Sequence, residues 1–345
     1  MDLPFDPPLA PMEAKVVSGV PTGDGWQYEP KWDGFRAICF RAGDDVYISS
    51  RKELPFARYF PEVVEALKNI AAPRLVLDGE LVVFTPDGRG LDFDVLQQRL
   101  HPAESRVRKL SKETPASFIA FDLLALADRD LRGEPLAERR AALERTMAGA
   151  RPPLYLSPRT SDHETAESWL DEFVVAGLDG VVAKRLDGVY RSGEREMRKV
   201  KRERTAECVL IGWRWAKDQR GTAVGSLILG MYGPDGELGQ VGFTSGFARR
   251  QRREMVPSLE EHRSGPTVEI PNTAEYRSRW ATDRDLSFEP LKPDLVVEVS
   301  FDQVTAGRIR HGARFLRWRP DKPAEQCTSD QLANPAGPDI RELVR

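Results

Sequence analysis

The feature that most limits how this chain folds is a change of texture near residue 203. Before that point short apolar runs alternate with helix-like stretches; after it the chain is mostly short strands and glycine-rich turns. Runs at 46–50, 75–84, 118–126 and 180–183 are rich in Val, Ile, Leu and Phe and are bounded by Gly, Asp or Pro, as buried strands are. Pro61 precedes EVVEALKNI, which puts proline at a first helical position and apolar residues at helical spacing. Residues 135–147 and 164–176 also read as helices, the latter through Trp169, Phe173 and Ala176. The pattern predicts an α+β domain over residues 1–202.

Beyond residue 203 the runs 208–215, 225–232, 239–243 and 295–301 read as strands, separated by turns such as Gly233-Pro234-Asp235-Gly236, with one helix over 247–259. Short strands in this number with a single helix predict a small barrel of the OB type over 203–345, a fold whose face commonly binds oligonucleotides. The stretch 201–207 is the expected boundary. The proline-rich ends, residues 4–11 and 334–338, are expected to be loosely ordered.

A chain of 345 residues with 40% hydrophobic content suits about two domains with real cores. The N-terminus has neither the basic start nor the apolar run of a signal peptide, and no stretch is long enough to span a membrane, so a cytoplasmic protein is expected. Cys39, Cys208 and Cys327 are odd in number and far apart, which argues against a disulfide framework and a cysteine-based zinc site. Net charge is −3, but basic side chains cluster at 191–204, at 249–253 (RRQRR) and at 308–322, where Trp318 is interleaved. Such clusters suit local, salt-sensitive phosphate contacts.

Within the first domain Lys31 lies in Glu29-Pro30-Lys31-Trp32-Asp33-Gly34-Phe35-Arg36. A nucleophilic lysine needs cationic neighbours or desolvation, and an acid or bound metal to organise a phosphate. Arg36 offers the cation and Asp33 the acid, although a surface turn built on Asp-Gly explains the string as well. Further charged strings sit at strand edges: Ser50-Arg51, Asp78-Gly79-Glu80, Phe121-Asp122, Asp179 to Lys184, and Met197-Arg198-Lys199-Val200-Lys201. Each has a plain structural explanation, and for Phe121 alone that explanation is a core residue. In a strand, however, Lys199 and Lys201 share one face, an unfavourable pairing unless an anion lies between them. Glu80 and Asp179, acids beside apolar strand residues, suit a divalent cation by the same argument. Acids for a metal, cations for phosphates and an aromatic ring for a base are the parts of a site for phosphoryl transfer.

These strings resemble, in order, the six motifs of the covalent nucleotidyltransferase superfamily, and within it the ATP-dependent DNA ligases. The likeness is greatest to the small bacterial C-type ligases, and runs from about residue 7 to 328. The resemblance implies an ATP-grasp-like adenylation domain of antiparallel sheets and helices, followed by an all-β OB-fold domain with one helix. It implies ATP as substrate, Mg2+ or Mn2+ as cofactor, nicked double-stranded DNA as partner, repair as the setting, no membrane partner, and a monomer. Lys31 is then the residue that carries AMP, with Glu29 beside the adenine amino group, Phe121 stacked on adenine, Arg51 on the ribose and Glu80 on ribose or metal. Lys199 and Lys201 take the α-phosphate, Arg36 and Arg195 complete the nucleotide contacts, and Asp33, Glu80 and Asp179 face the metal. Arg319, Asp321 and Lys322 in Arg314-Phe315-Leu316-Arg317-Trp318-Arg319-Pro320-Asp321-Lys322 orient the pyrophosphate. Because the OB domain also has to meet DNA, the resemblance implies rotation about 201–207.

Two positions depart from the family's pattern: Asp179 stands where glutamate is usual, and Met197 where tryptophan is usual. The start of the last motif, His311-Gly312-Ala313, is also less proline-rich. Alternative readings are an RNA ligase or capping-type RNA guanylyltransferase, and, from another class, a non-catalytic nucleic-acid-binding OB protein. No DNA-encircling domain is expected ahead of residue 1. Residues 91–112, with Arg99, His101, Arg106, Arg108 and Lys109, are a candidate DNA-contacting loop.

Overall fold

A computed structural model describes residues 1–175, 178, 180–202, 204–268, 287–305, 307–310, 312–333 and 339–344. The chain divides into two compact units, the first comprising residues to Arg202 together with the C-terminal residues, the second running from Glu203 to Ala333. The expected second domain reached 345. Ile340 instead donates its backbone N–H to Gly88 and is buried in the first unit.

The first unit runs β1 (Glu13–Val16), β2 (Trp26–Pro30), β3 (Phe35–Ala42), β4 (Asp45–Ser50), α1 (Pro61–Lys68), β5 (Arg74–Val82), α2 (Phe93–Gln98), α3 (Glu104–Glu113), β6 (Ser117–Leu126), β7 (Arg129–Asp130), α4 (Leu136–Met147), β8 (Leu154–Leu156), α5 (His163–Val175), β9 (Val181–Arg185) and β10 (Arg195–Val200). These strands make two sheets, ordered β1-β10-β9-β2 and β4-β3-β5-β6-β7, with β8 pairing β6. Strand alternation explains how they stack. Ala37 and Cys39 of β3 pack with Val63 and Leu67 of α1 and Leu143 of α4, whereas Ile38 and Phe40 turn the other way and meet Met197 of β10. On the far side of the first sheet, Ala166, Trp169 and Leu170 of α5 cover Tyr28, Val181 and Ala183. The result is four layers, helix, sheet, sheet and helices, and replacing Phe40 by alanine at their centre would cost about 3–5 kcal/mol. Phe173 lies in α5 and Ala176 follows it, but neither side chain is among those described.

Two glycines are set by close backbone approach. A Cβ on Gly34 would collide with the Leu81 carbonyl oxygen, and one on Gly79 with the Phe118 ring and the Ile119 carbonyl. Gly34 therefore lets the Lys31 segment lie directly against β5, which carries Glu80.

Two expectations are corrected here. Residues 4–11 are packed rather than loose: Phe5 and Leu9 join the inter-sheet cluster, and the Arg132 guanidinium lies 3.8 Å from the Phe5 ring centroid. Residues 334–338 lie outside the described residues. The candidate loop over 91–112 is largely α2 and α3, and its Arg99 is fully buried, donating to both Glu62 carboxylate oxygens at 2.6 and 2.9 Å. Arg108 is exposed and paired with Glu104 one helical turn away.

The second unit runs β11 (Arg204–Trp215), β12 (Val224–Tyr232), β13 (Leu238–Thr244), α6 (Arg249–Glu261), β14 (Glu289–Pro290), β15 (Val296–Phe301), β16 (Val304–Thr305), β17 (Arg308–Ile309) and β18 (Arg314–Trp318). Its main sheet is ordered β13-β12-β11-β15-β18. The bridge of Thr244 to Ala313 and the bond from Phe315 N to Thr244 Oγ1 at 3.1 Å close this sheet into the OB-type barrel. Leu210, Trp213, Leu227, Leu229, Val297 and Val299 fill its core, and Met255 and Leu259 of α6 pack against them. The predicted turn at 233–236 forms with Gly236 at φ 77°, a left-handed conformation that suits glycine. Cys39, Cys208 and Cys327 are all free and buried.

Candidate active site

A cleft of about 250 Å3 opens in the first unit at the ends of the stacked sheets. Its lining includes Glu29 of β2, Lys31 and Asp33 beyond it, Arg36 of β3, Arg51 after β4, Glu80 of β5, Phe121 of β6 and Lys199 of β10. Eight residues singled out in the sequence thus converge from segments as much as 170 positions apart, Glu29 to Lys199. Arg195 and Lys201 do not line the cleft; β10 ends at Val200, so the strand that would place Lys199 and Lys201 on one face stops short of the second lysine. Asp179 and His311 lie outside the described residues.

Lys31 is anchored on both sides. Its backbone N–H donates to the Gly180 carbonyl at 2.8 Å, and the next residue, Trp32, is buried with its indole N–H donating to Ser157 Oγ at 3.0 Å. The Arg36 guanidinium, expected as a cation near Lys31, is paired with Asp78. Its Nε and Nη2 donate to the two oxygens of fully buried Asp78 at 2.6 and 2.7 Å, and its Cζ lies 4.4 Å from the Phe121 ring centroid. Burial opposes the charge on Arg36, but Asp78 outweighs it and holds the guanidinium above its ordinary value. Asp78 is itself fixed by the buried Tyr190 hydroxyl, which donates to it at 2.7 Å and accepts from Met12 N at 2.9 Å. Burial and the Asp78 charge push that hydroxyl well above its ordinary value.

Lys184 was in one of the charged strings but was not selected as a site residue. It is 4% exposed, its Nζ sits 2.8 Å from the Glu29 carboxylate and 4.5 Å from the Phe121 ring centroid, and no hydrogen-bond acceptor among the described residues is aligned with it. Glu29 Oε1 also accepts from Gln27 Nε2 at 2.8 Å. The signal in the sequence was alternation: Lys184 shares a face of β9 with Val182, and both line the cleft. Glu13 was missed as well; it lines the rim and pairs with both Arg51 and Arg195. Nothing in its isolated position ahead of the motifs marked it.

Asp33 and Glu80 are the cleft's candidate acids for a divalent cation; among the described residues no group of three or more His, Cys, Asp or Glu side chains is gathered to hold one. Of the four carboxylates lining the cleft, Glu13 is held by arginines and Glu29 by a lysine, whereas Asp33 and Glu80 bear on one another electrostatically. Burial pushes the Glu80 carboxyl up to about 7 despite Arg36 and Lys31, with Asp33 and Asp78 adding to the rise. A partly buried carboxylate beside a second acid is a candidate ligand for a hard cation that keeps several waters, as Mg2+ does.

In the second unit Arg319 is largely buried. Its Nε and Nη2 donate to Asp321 at 2.8 to 3.2 Å, its Nη1 donates to Glu207 Oε1 at 2.6 Å, and Lys322 N donates to its carbonyl at 3.1 Å. The basic run 249–253 is not one uniform face: Arg252 turns inward to the carbonyls of Ser245, Phe247, Val224 and Gly225, and Arg250 pairs with Glu254.

Comparisons with known proteins show the family. The family model described as ATP dependent DNA ligase domain matches residues 7–201, and that described as ATP dependent DNA ligase C terminal region matches 220–322. The chain is 48% identical to DNA ligase C2 of Mycolicibacterium smegmatis over 97% of both chains. It is 46% identical to DNA ligase C of Mycobacterium tuberculosis over 100% of this chain and 99% of that one. Among solved structures, one titled as a structure-function analysis of Lig E DNA ligases shares the fold, with TM-score 0.56 and 19% identity over 89% of this chain and 99% of that one. The chain belongs to the ATP-dependent DNA ligases.

Proposed function

We propose that this ligase seals nicks bearing a 5′-phosphate and a 3′-hydroxyl in duplex DNA through AMP carried on Lys31. The observation that carries the reading is the convergence of Lys31, Glu29, Glu80, Phe121 and Lys199 on one cleft. Lys31 Nζ, once deprotonated, attacks the α-phosphorus of ATP; the bond to the β-phosphate oxygen breaks and pyrophosphate leaves, giving a phosphoramidate. Phe121 and the Glu29–Lys184 pair provide an aromatic face and two opposite polar groups at the base end, while Lys199 neutralises charge that develops on the α-phosphate. Arg36, clamped by Asp78, supports the Phe121 ring.

Asp33 and Glu80, with Asp179 as a third acid, would hold Mg2+ or Mn2+, which supplies charge neutralisation at the α-phosphate. Arg319, Asp321 and Lys322 would orient the leaving pyrophosphate. AMP then passes to the 5′-phosphate, and the 3′-hydroxyl displaces it to close the strand. A 5′-phosphate has no good leaving group until AMP is attached, which is why the covalent step is useful. Incubation with labelled ATP or GTP and denaturing electrophoresis tests the reading: label from ATP and sealing of a DNA nick are expected. Label from GTP alone would point to a capping guanylyltransferase.

A further inference from the structure

At the start of β1, Glu13 joins two arginines from separate parts of the first unit. Its Oε1 accepts from Arg51 Nε at 2.8 Å and Nη2 at 2.6 Å, and its Oε2 from Arg195 Nε at 3.2 Å. Glu13 and Arg195 are register partners in the parallel β1–β10 pair, beside an irregularity that lies between Glu13 and Ala14. The carboxylate is 25% exposed, whereas Arg51 and Arg195 are 64% and 66% exposed, so the cations are open to an incoming anion. The hydrogen bond from Arg51 leads the influences that hold the Glu13 carboxyl below its ordinary value. Two guanidinium groups converging on one carboxylate form a donor set that also suits a phosphate monoester, with its three acceptor oxygens and larger charge.

We propose that Glu13 is a positioning residue that occupies, within the chain, the place of a phosphate between Arg51 and Arg195, and that the 5′-phosphate of a nicked duplex displaces it. This rests on the nick-sealing function proposed above. The tethered carboxylate keeps both arginines aimed at the rim and competes with every free anion at a high effective concentration. A phosphate dianion carried on a duplex brings further contacts and greater charge, and so displaces it where a lone inorganic anion does not. Glu13 thereby sets how strongly the enzyme prefers a phosphorylated nick to an unphosphorylated one.

The test uses the full chain and its Glu13→Gln and Glu13→Asp variants with two nicked duplexes that differ only in a 5′-phosphate or 5′-hydroxyl at the nick. Binding of both duplexes, KM and kcat for sealing, and adduct formation from ATP without DNA are measured. Glu13→Gln is expected to raise the preference for the phosphorylated duplex about threefold to tenfold, the range spanned by one or two exposed ion pairs. KM for sealing should fall with kcat unchanged, inorganic phosphate should inhibit more strongly, and Glu13→Asp should follow the parent chain. Comparing the two duplexes cancels the general gain in DNA affinity from removing a negative charge. An unchanged or weakened preference overturns the inference; a change confined to the KM for ATP overturns the assignment to the nick and gives the place to a nucleotide phosphate. Failure of the parent chain to form any adduct would count against the proposed function instead, because the duplex comparison needs no catalysis.

Discussion

Lys184 Nζ lies 2.8 Å from the Glu29 carboxylate, with both side chains almost wholly removed from solvent. The two residues belong to adjacent strands, β9 and β2, on the side of the sheet that turns to the Phe121 ring. A buried pair of this kind is worth most as a joint device, since losing one partner strands the other charge.

Lys184→Met should therefore lower stability by about 3–5 kcal/mol, and adding Glu29→Gln should recover at least half of that loss. Urea unfolding of the single and double variants is the check. Equal losses in both would show that the pair is not coupled. Adduct formation from ATP should fall in every case.

Arg99 gives a second prediction, because it was expected to meet DNA and is instead buried against Glu62 and the carbonyls of Tyr59 and Thr114. Arg99→Ala should destabilise the protein by about 3 kcal/mol or more, as loss of a buried charge partner does. Arg108→Ala, at an exposed position, should shift stability by no more than about 0.5 kcal/mol. Equal denaturation midpoints for the two variants would contradict this placement.

That contrast shows where the sequence was legible. Short apolar runs bounded by Gly, Asp or Pro located β4, β5 and β6, and proline at a first helical position located α1, because those signals are local. Lys31, Glu80, Phe121 and Lys199, which line one cleft, stood out because chemically matched residues lay at strand edges. Arg99 was misread because a charged residue in a polar stretch gives no local sign that Glu62, 37 positions earlier, will bury it. Arg36 was singled out without its partner, since Asp78 lies in a strand whose register with β3 only the fold supplies. Lys184 and Glu13 likewise depend on pairings across sheets.

The Arg319–Asp321 pair predicts a simple response to pH. The hydrogen bond from Arg319 holds the Asp321 carboxyl at about 2, below its ordinary 3.8. A depressed carboxylate contributes stability above its unfolded value, and that contribution is lost as pH falls towards the folded one. Between pH 5 and 9 the pair should stay intact, and it should titrate away only between about pH 4 and 2. The carboxyl carbon shift of Asp321 followed by NMR is the measurement; a midpoint near 4 would show that Arg319 does not hold it.

The central claim is that Lys31 carries AMP. Intact mass of the protein and of Lys31→Ala, after incubation with ATP and a divalent cation and without DNA, tests it most directly. The account predicts a gain of one adenylate on the parent chain, mapped to the peptide containing Lys31, and none on the variant. An adenylate on Lys31→Ala, or on a different peptide of the parent chain, would contradict it.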